Sequence, residues 1–417
     1  MPCSSGRGDI IANKPKTLNV LHNKPFALLW SGQSISFFGL AIYYTCLPFL
    51  IFHVGGGAVE LGLAHSFFII PQIIFLLISG VYVDRWSKRK VLIICDVIRG
   101  AAVLGITLLL LSDMLVLPHI YILTGLMGLL STFYRPAVRG IIPRIVRKNQ
   151  LISANSLRSI SQEVSEMVGP VIGGTLVASI GLYAAYSINT VTFLLSALFV
   201  SFITLQSEKR ISEQNTPTSF WKDFKNGWNA IRERAWLGAS ILLGSLSNIG
   251  IASFDVIILP VFAEMSFSGV ETYGWFLAAL AIGALSCAAL IGRLERISHR
   301  GILYYAFMAL SGVCVLLLSL TPFLTLALLL LAIIGFSLTA FVIIWDSAVQ
   351  ELLDEKVLGR ITSFQMFGGL ALLPVGYSLF GYLIENLGTT LSMSLAGLII
   401  IIVSLLGLTN KKIRQLD

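Results

Sequence analysis

Long apolar stretches alternate with short polar segments along almost the whole chain. Most of these stretches have about 20 residues or more, the length that an α-helix needs to cross the hydrocarbon core of a bilayer. Charged residues, glycine and proline mark the breaks between them. The pattern predicts twelve membrane-spanning helices, at residues 26–54, 58–83, 91–112, 117–138, 151–179, 182–205, 236–262, 271–292, 302–320, 323–346, 360–385 and 389–408.

Composition agrees with this pattern. The 417 residues are 56% hydrophobic and only 12% charged, and soluble domains carry about twice that share of charge. The first 25 residues are polar and basic, and the apolar stretch after them is too long for the core of a signal peptide. The sequence therefore predicts an all-α polytopic membrane protein.

The basic residues are distributed asymmetrically. All of the 29 Lys and Arg residues except Arg99 and Arg158 lie in alternate polar segments, at the two tails and at residues 84–90, 135–148, 209–234, 293–300 and 356–360. The other segments, near residues 55, 115, 181, 266, 321 and 387, have neither. This is the positive-inside pattern, which places both termini in the cytoplasm. It also accounts for the net charge of +8 without nucleic acid as a partner.

Two features divide the chain into halves. DRWSKR at 84–89 is echoed by ERISHR at 295–300, and Ala137-Val138 by Ala348-Val349, both at an offset of 211 residues. Between the halves lies one long polar segment, whose end has Trp221, Phe224, Trp228 and Ile231 at helical spacing. We therefore expect a cytoplasmic tail (1–25), a six-helix bundle (26–205), a linker with an amphipathic helix (206–235), a second six-helix bundle (236–408) and a cytoplasmic tail (409–417).

The segment 80–90, GVYVDRWSKRK, is a tight charged turn between two predicted helices. It resembles the loop between helices 2 and 3 of the major facilitator superfamily, G-x-x-x-D-R-x-G-R-K, with Ser87 at the position of the second glycine. The resemblance implies two six-helix bundles in the major facilitator fold. It also implies that Asp84 faces the start of helix 11, where free backbone amides favour a negative charge. Residues expected to gate the conformational change are Gly80, Asp84, Arg85, Arg89, Gly359 and Arg360.

The fifth predicted helix contains Gly169-Pro170-x-x-Gly173-Gly174. Proline removes a backbone donor and kinks a helix, while glycine lets another backbone approach closely. The motif resembles the end of the glycine-rich motif of major facilitator antiporters, in which export in exchange for a cation is the usual activity. The alternative is tight helix packing alone.

Carboxylates within the predicted helices are candidates for proton coupling. Glu163 and Glu166 lie about 18 to 23 Å along the helix 151–179, near mid-membrane, where an unpaired ionised acid is costly. We expect them to face a water-filled cavity. Asp255 is a second candidate. The alternative for the two glutamates is structural pairing with Arg158 or with polar side chains of the second helix.

Polar and aromatic side chains on several helices are candidates for contact with an amphipathic ligand, since aromatic rings offer an apolar body and amides a polar handle. The alternative for the aromatic residues is packing or anchoring at the membrane interface. The candidates for substrate binding are Gln33, Phe37, Tyr44, Gln162 and Asn248.

Four further motifs narrow the resemblance. They are W-x-G-Q at 30–33, Asp96-x-x-Arg99, SANSL at 153–157 and Leu358-Gly359-Arg360. Together they are similar to the drug-export branch of the superfamily that contains macrolide efflux pumps and enterobactin exporters. Asp96 and Arg99 are one helical turn apart, so we expect them to pair with each other or with the charged loop. Residues 117–134 contain no Lys or Arg, unlike the fourth helix of many drug antiporters, which leaves the coupling ion open.

The sequence thus predicts a monomeric exporter that works by alternating access, with protons driving extrusion of an amphipathic drug-like molecule or secondary metabolite. Uptake of a polar solute and flipping of a lipid or lysolipid are the alternatives within the same fold. An H-E-x-x-H motif, a metal-spaced His or Cys cluster and a Walker glycine loop are all missing from the sequence. We therefore expect no enzyme activity, cofactor or metal, and expect membrane lipid, a small-molecule substrate and protons as partners.

Overall fold

The computed structural model describes residues 17–204, 229, 231–232, 235–291, 297–353 and 355–414. Residues 1–16 of the predicted tail (1–25) and nearly all of the predicted linker and its amphipathic helix lie outside the described residues. The structure also does not describe the side chains of several helical residues, Asp84 and Arg360 among them, or the contacts of Gly80 and Gly359. All regular secondary structure in the described residues is helical.

The first region of the chain, residues 24–201, follows the predicted apolar stretches closely. A short 3₁₀ helix, Thr17–His22, precedes it, and a 3₁₀ turn, Lys148–Gln150, lies before its last helix. Its α-helices are α1 (Lys24–His53), α2 (Ala58–Arg85), α3 (Lys88–Leu111), α4 (Leu117–Ile145) and α5 (Leu151–Ser201).

The second region, residues 235–414, contains more interruptions. A π-helical segment, Phe254–Ile258, separates its first two α-helices. The described α-helices are α6 (Ala235–Ser253), α7 (Leu259–Ser266), α8 (Val270–Ile291), α9 (Arg300–Ser319), α10 (Leu324–Leu352), α11 (Glu355–Ala371), α12 (Leu373–Leu387), α13 (Thr389–Thr409) and α14 (Lys411–Arg414).

Within the described residues, 11 helical stretches are long and apolar enough to cross a membrane. One of them contains all of α5, whose 51 residues would form a straight helix of about 75 Å, more than twice the thickness of the hydrocarbon core. Its helical geometry is broken in the middle, because Gly181 has φ 81° and ψ 172°, a backbone conformation that glycine adopts readily. Gly181 lies between the predicted helices 151–179 and 182–205.

The two ends of the molecule differ in charge. We call the end where α2 meets α3, at residues 86–87, the basic end, since Arg85, Lys88 and the start of α9 at Arg300 lie there. The opposite end, where α1 meets α2 at residues 54–57, we call the acidic end; its charged residues are Glu60, Asp113, Glu264, Glu271 and Glu385.

The hydrophobic cores follow this division into ends. At the acidic end one core is built from both regions, from Leu47 and Leu61 of the first to Phe276 and Phe380 of the second. At the basic end there are two separate cores, one formed only by residues between Val20 and Ile203 and the other only by residues between Ile231 and Ile413. The regions therefore pack together at the acidic end and separately at the basic end.

Contacts between α2 and α12 join the two regions. Ser66 donates a hydrogen bond to the Pro374 carbonyl at 3.2 Å, and the Val59 amide donates to Glu385 at 3.2 Å. At Gly62 a Cβ atom would clash with the Tyr377 carbonyl, so this glycine allows the two backbones their close approach. A second junction joins α5 to α8, where a Cβ on Gly174 would lie 3.1 Å from Gly274 Cα.

Candidate functional site

The charged turn between α2 and α3 makes its described contacts within the first region. Arg85 is exposed and Arg89 is half-buried. The Arg89 guanidinium donates hydrogen bonds to the Val200 carbonyl at 3.3 Å and to the Ser201 carbonyl, so it caps the last carbonyl groups of α5. The predicted contact between Asp84 and the helix start at Gly359 and Arg360 lies outside the described residues.

A polar ladder follows one face of α5. Arg158 Nη1 donates to Gln162 Oε1 at 3.3 Å, and Gln162 Nε2 donates to Glu166 Oε1 at 2.8 Å. The spacing of four residues places these side chains above one another on the helix. Glu163 is exposed beside them and interacts electrostatically with Glu166. The expected partner Arg158 is thus connected to Glu166 through an amide.

Sequence analysis missed an acid on α10. Asp346 is exposed and interacts electrostatically with Glu163, although the two residues belong to different regions of the chain. The apolar stretch ends near residue 346, so Asp346 was placed at the end of its predicted helix. In the structure α10 continues to Leu352, which puts Asp346 about 9 Å inside the helix end. An acidic residue in a helix that continues beyond the apolar stretch was the signal that could have identified Asp346.

Asp255 lies on the π-helical segment near the contact between the regions. Its side chain has accessible surface but is densely surrounded by protein atoms, as expected of a side chain that faces an internal space. It interacts electrostatically with Tyr273 and Tyr377. These two rings contact the first region, Tyr273 at Phe49 with centroids 5.6 Å apart and Tyr377 at His65 with centroids 5.6 Å apart. π-Helical bulges of this kind often occur at functional sites.

The predicted substrate-binding residues differ in accessibility. Phe37, Tyr44, Gln162 and Asn248 are half-buried. Tyr44 stacks on His65 with centroids 6.3 Å apart, and Asn248 donates to the Gly369 carbonyl at 2.9 Å. Gln33, by contrast, is only 2% exposed, and its Nε2 atom has no hydrogen-bond partner among the described residues.

The glycines of the G-P-x-x-G-G motif lie where helices pack closely. Cβ atoms at Gly169 and Gly173 would press on Ala41 and Thr45 of α1, within the same region, while Gly174 faces Gly274 of the other region. Pro170 lies inside α5, which continues past it. The motif thus lines contacts both within the first region and between the regions.

Asp96 and Arg99 form the centre of a buried polar network in the first region. Asp96 is 0% exposed and accepts hydrogen bonds from Ser36 at 3.1 Å and Ser196 at 2.6 Å. Arg99 Nη1 lies 3.5 Å from Asp96 Oδ1, and Nη2 donates to Ser131 at 2.9 Å. The network connects α1, α3, α4 and α5, and its lack of exposure indicates a structural role.

The chemical groups that the candidate site contains are carboxylates. Among the residues that the structure describes, no group of three His, Cys, Asp or Glu side chains could hold a metal ion. Glu163, Glu166 and Asp346 are instead exposed acidic residues, two of them in the first region and one in the second. Carboxylates at such a position can exchange protons with water or bind a cationic group.

Comparisons with known proteins agree with the fold. The sequence model of the Major Facilitator Superfamily matches residues 29–373. Macrolide efflux protein A of Streptococcus pyogenes is 24% identical over 400 residues, which covers 94% of this chain and 97% of that protein. Enterobactin exporter EntS of Escherichia coli is 23% identical over 394 residues, covering 93% of this chain and 92% of that protein.

Among solved structures, a bacterial homologue of the human lysosomal transporter Spinster, in an inward-facing and unoccupied conformation, has a similar fold. The TM-score is 0.72 at 13% identity, with 97% of this chain and 98% of that chain covered. The 11 helical stretches that could span a membrane and the family match together define a multi-pass membrane transporter. Since the family match extends over most of its length, the chain belongs to the Major Facilitator Superfamily.

Proposed function

We propose that the protein is a secondary active exporter of amphipathic drug-like compounds or secondary metabolites. The observation that carries the proposal is the set of accessible carboxylates on α5 and α10, in two regions that share a core only at the acidic end. The names of two relatives, a macrolide efflux protein and an enterobactin exporter, support export as the direction and an amphipathic molecule as the substrate.

The proposed topology has twelve crossings, with Gly181 separating the fifth from the sixth, and two bundles of six at residues 26–205 and 236–408. The positive-inside pattern supports placing the basic end in the cytoplasm, together with both termini. In that orientation the regions pack together on the outer side and are separate on the inner side. Export by alternating access would then require the α2–α12 and α5–α8 junctions to open.

Proton-coupled antiport is the proposed energy source. Glu163 and Glu166 would exchange protons with water that enters between the two regions from the cytoplasmic side. Asp255 would exchange protons close to the contact between the regions on the outer side, near Tyr273 and Tyr377. A carboxylate that is protonated on one side and deprotonated on the other can couple the proton gradient to the conformational change. Phe37, Tyr44, Gln162 and Asn248 are the proposed substrate contacts, and Asp346 adds a charged group opposite Glu163.

The test is efflux of a fluorescent amphipathic dye and a macrolide panel from vesicles, with and without a proton gradient. The variants are Glu163→Gln, Glu166→Gln, Asp255→Asn and Asp346→Asn, and Glu264→Gln, an exposed acid at the acidic end, is the matched control. We expect efflux by the wild type to require the proton gradient. We expect at least one of the four variants other than the control to reduce efflux by about tenfold or more. Efflux that persists without a gradient and in every variant would contradict proton coupling, and movement of a lipid or polar solute alone would contradict the substrate class.

A further inference from the structure

The start of α2 receives a carboxylate from the other region of the chain. Glu385, near the end of α12, accepts a hydrogen bond from the backbone amide of Val59 at 3.2 Å. Val59 is the second residue of α2, and the first amides of a helix have no carbonyl partner within that helix. Glu385 therefore supplies, from the second region, an acceptor for an amide of the first region.

The charge of Glu385 is unfavourable in its own helix and favourable at α2. α12 ends at Leu387, and the helix dipole disfavours a negative charge near a C-terminal end. The start of α2 has the opposite polarity and attracts a carboxylate. The sequence has no Lys or Arg between residues 25 and 84 or between residues 361 and 410. The amides at the start of α2 therefore act on Glu385 in place of a basic side chain.

Two glycines make room for this contact. A Cβ atom on Gly381, one helical turn before Glu385, would lie 2.6 Å from the Ala58 carbonyl oxygen, so the missing side chain lets α12 approach the start of α2. A Cβ atom on Gly57 would lie 2.9 Å from Glu385 Oε1. The Glu385 carboxylate thus occupies the space that a side chain at residue 57 would need.

The start of α2 also has a cap within its own region. Glu60 Oε2 accepts a hydrogen bond from the Gly57 amide at 2.7 Å, which closes the first turn of the helix. This cap does not depend on Glu385. Replacement of Glu385 should therefore weaken the contact between the two regions while α2 keeps its first turn.

We infer that Glu385 stabilises the state of the transporter in which the acidic end is closed. The inference rests on the proposed alternating access, in which the α2–α12 junction opens. The hydrogen bond from Val59 to Glu385 requires α12 to pack on α2, and a contact made in only one state favours that state by its own free energy. Glu385 is thus a positioning residue for transport, because it acts on the balance between closed and open states.

The test measures the distance between the two regions at the acidic end, by pulsed electron paramagnetic resonance on the full-length protein in nanodiscs. Nitroxide labels are attached at Met114→Cys in the first region and at Phe323→Cys in the second, both of which are exposed positions. The background carries Cys3→Ser, and the other four cysteines are buried. Opening of the acidic end should lengthen the distance between the labels.

The variants remove the contact from either side. Glu385→Ala removes the carboxylate, Gly57→Ala displaces it with a methyl group, and a double variant combines the two changes. Asn386→Ala is the matched control, because Asn386 is the exposed neighbour of Glu385 and its side chain donates to the Tyr382 carbonyl of the same helix at 2.8 Å. The control changes the end of α12 without removing a described contact with α2.

We expect Glu385→Ala and Gly57→Ala each to raise the ratio of long to short distances by about two- to fivefold. The double variant should change the ratio no more than either single variant, because both remove the same contact, and the control should match the wild type. Unchanged distances in Glu385→Ala, or fully additive effects in the double variant, would overturn the inference. The expected shifts in a protein that exports no compound of the panel would support the inference and contradict the proposed exporter function.

Discussion

The two regions of the chain each bury an arginine, and they do so in opposite ways. Arg99 in the first region is 2% exposed and faces Asp96, which is 0% exposed and bonded to two serines. Arg300 in the second region is 6% exposed, but its acidic partner Glu351 is mostly in solvent. The first arginine belongs to a network inside the protein, whereas the second pairs with a carboxylate at the protein surface.

The difference shows what each arginine can do. A buried ion pair with both partners enclosed holds helices in one arrangement, and breaking it leaves an uncompensated charge. An ion pair with one partner in solvent is screened by water, so that partner contributes less to holding the helices. The two regions therefore use a buried arginine to connect helices inside the protein in one case and to pair with a surface carboxylate in the other.

The largest effect is expected from breaking the buried ion pair between Asp96 and Arg99. Arg99→Met should lower the free energy of unfolding by about 3–5 kcal/mol, because Asp96 would stay buried without its cation. Unfolding of the purified protein in detergent micelles measures this loss. The double variant Asp96→Leu with Arg99→Met should recover most of the stability, and a single variant as stable as the wild type would show that the pair does not hold the helices.

An intermediate effect is expected where the two regions meet. Gly62→Ala should disfavour the packed junction by about 1–3 kcal/mol, because the new methyl group would clash with the Tyr377 carbonyl. Labelling of Ser378→Cys with a membrane-impermeant maleimide, in a Cys3→Ser background, should then increase. Gly105→Ala is the control, since no atom lies within 4 Å of its Cβ position, and equal labelling in both variants would contradict the expectation.

The smallest effect is expected from the ion pair between Arg300 and Glu351, in which the carboxylate is mostly in solvent. Glu351→Gln should change the free energy of unfolding by less than about 1 kcal/mol, since the Glu351 carboxylate is mostly in solvent and the amide oxygen that replaces it can still accept a hydrogen bond from Arg300. The same unfolding measurement as for Arg99→Met checks it. A loss of stability comparable to that of Arg99→Met would contradict the difference between the two ion pairs, because both would then hold the helices together to the same extent.

The sequence predicted the positions of the helices better than their ends. The fourth helix was expected to end at residue 138 and α4 ends at Ile145, and the tenth was expected to end at 346 and α10 ends at Leu352. Hydropathy detects only the part of a helix within the hydrocarbon, whereas backbone hydrogen bonds continue the helix into the polar headgroup layer. This is why Asp346 escaped attention as a residue inside a helix.

The candidate site was predictable only in part. The spacing of Asp96 and Arg99 suggested their pairing, because one turn of a helix brings such residues together, and the structure has them 3.5 Å apart. Ser36 and Ser196, which complete the network, come from other helices and gave no signal. Gln33 looked accessible by its polarity, but packing of α1 buries it.

By itself the sequence determined the membrane-spanning stretches, the asymmetry of charge between the two ends, the internal repeat and the family. These properties depend on residues that are neighbours along the chain. Only the tertiary structure decided that Glu163 and Asp346 interact, that the regions share a core at one end, and that Glu385 accepts a hydrogen bond from the start of α2. Such convergence depends on the rotation and packing of separate helices, which the spacing of residues along one helix does not encode.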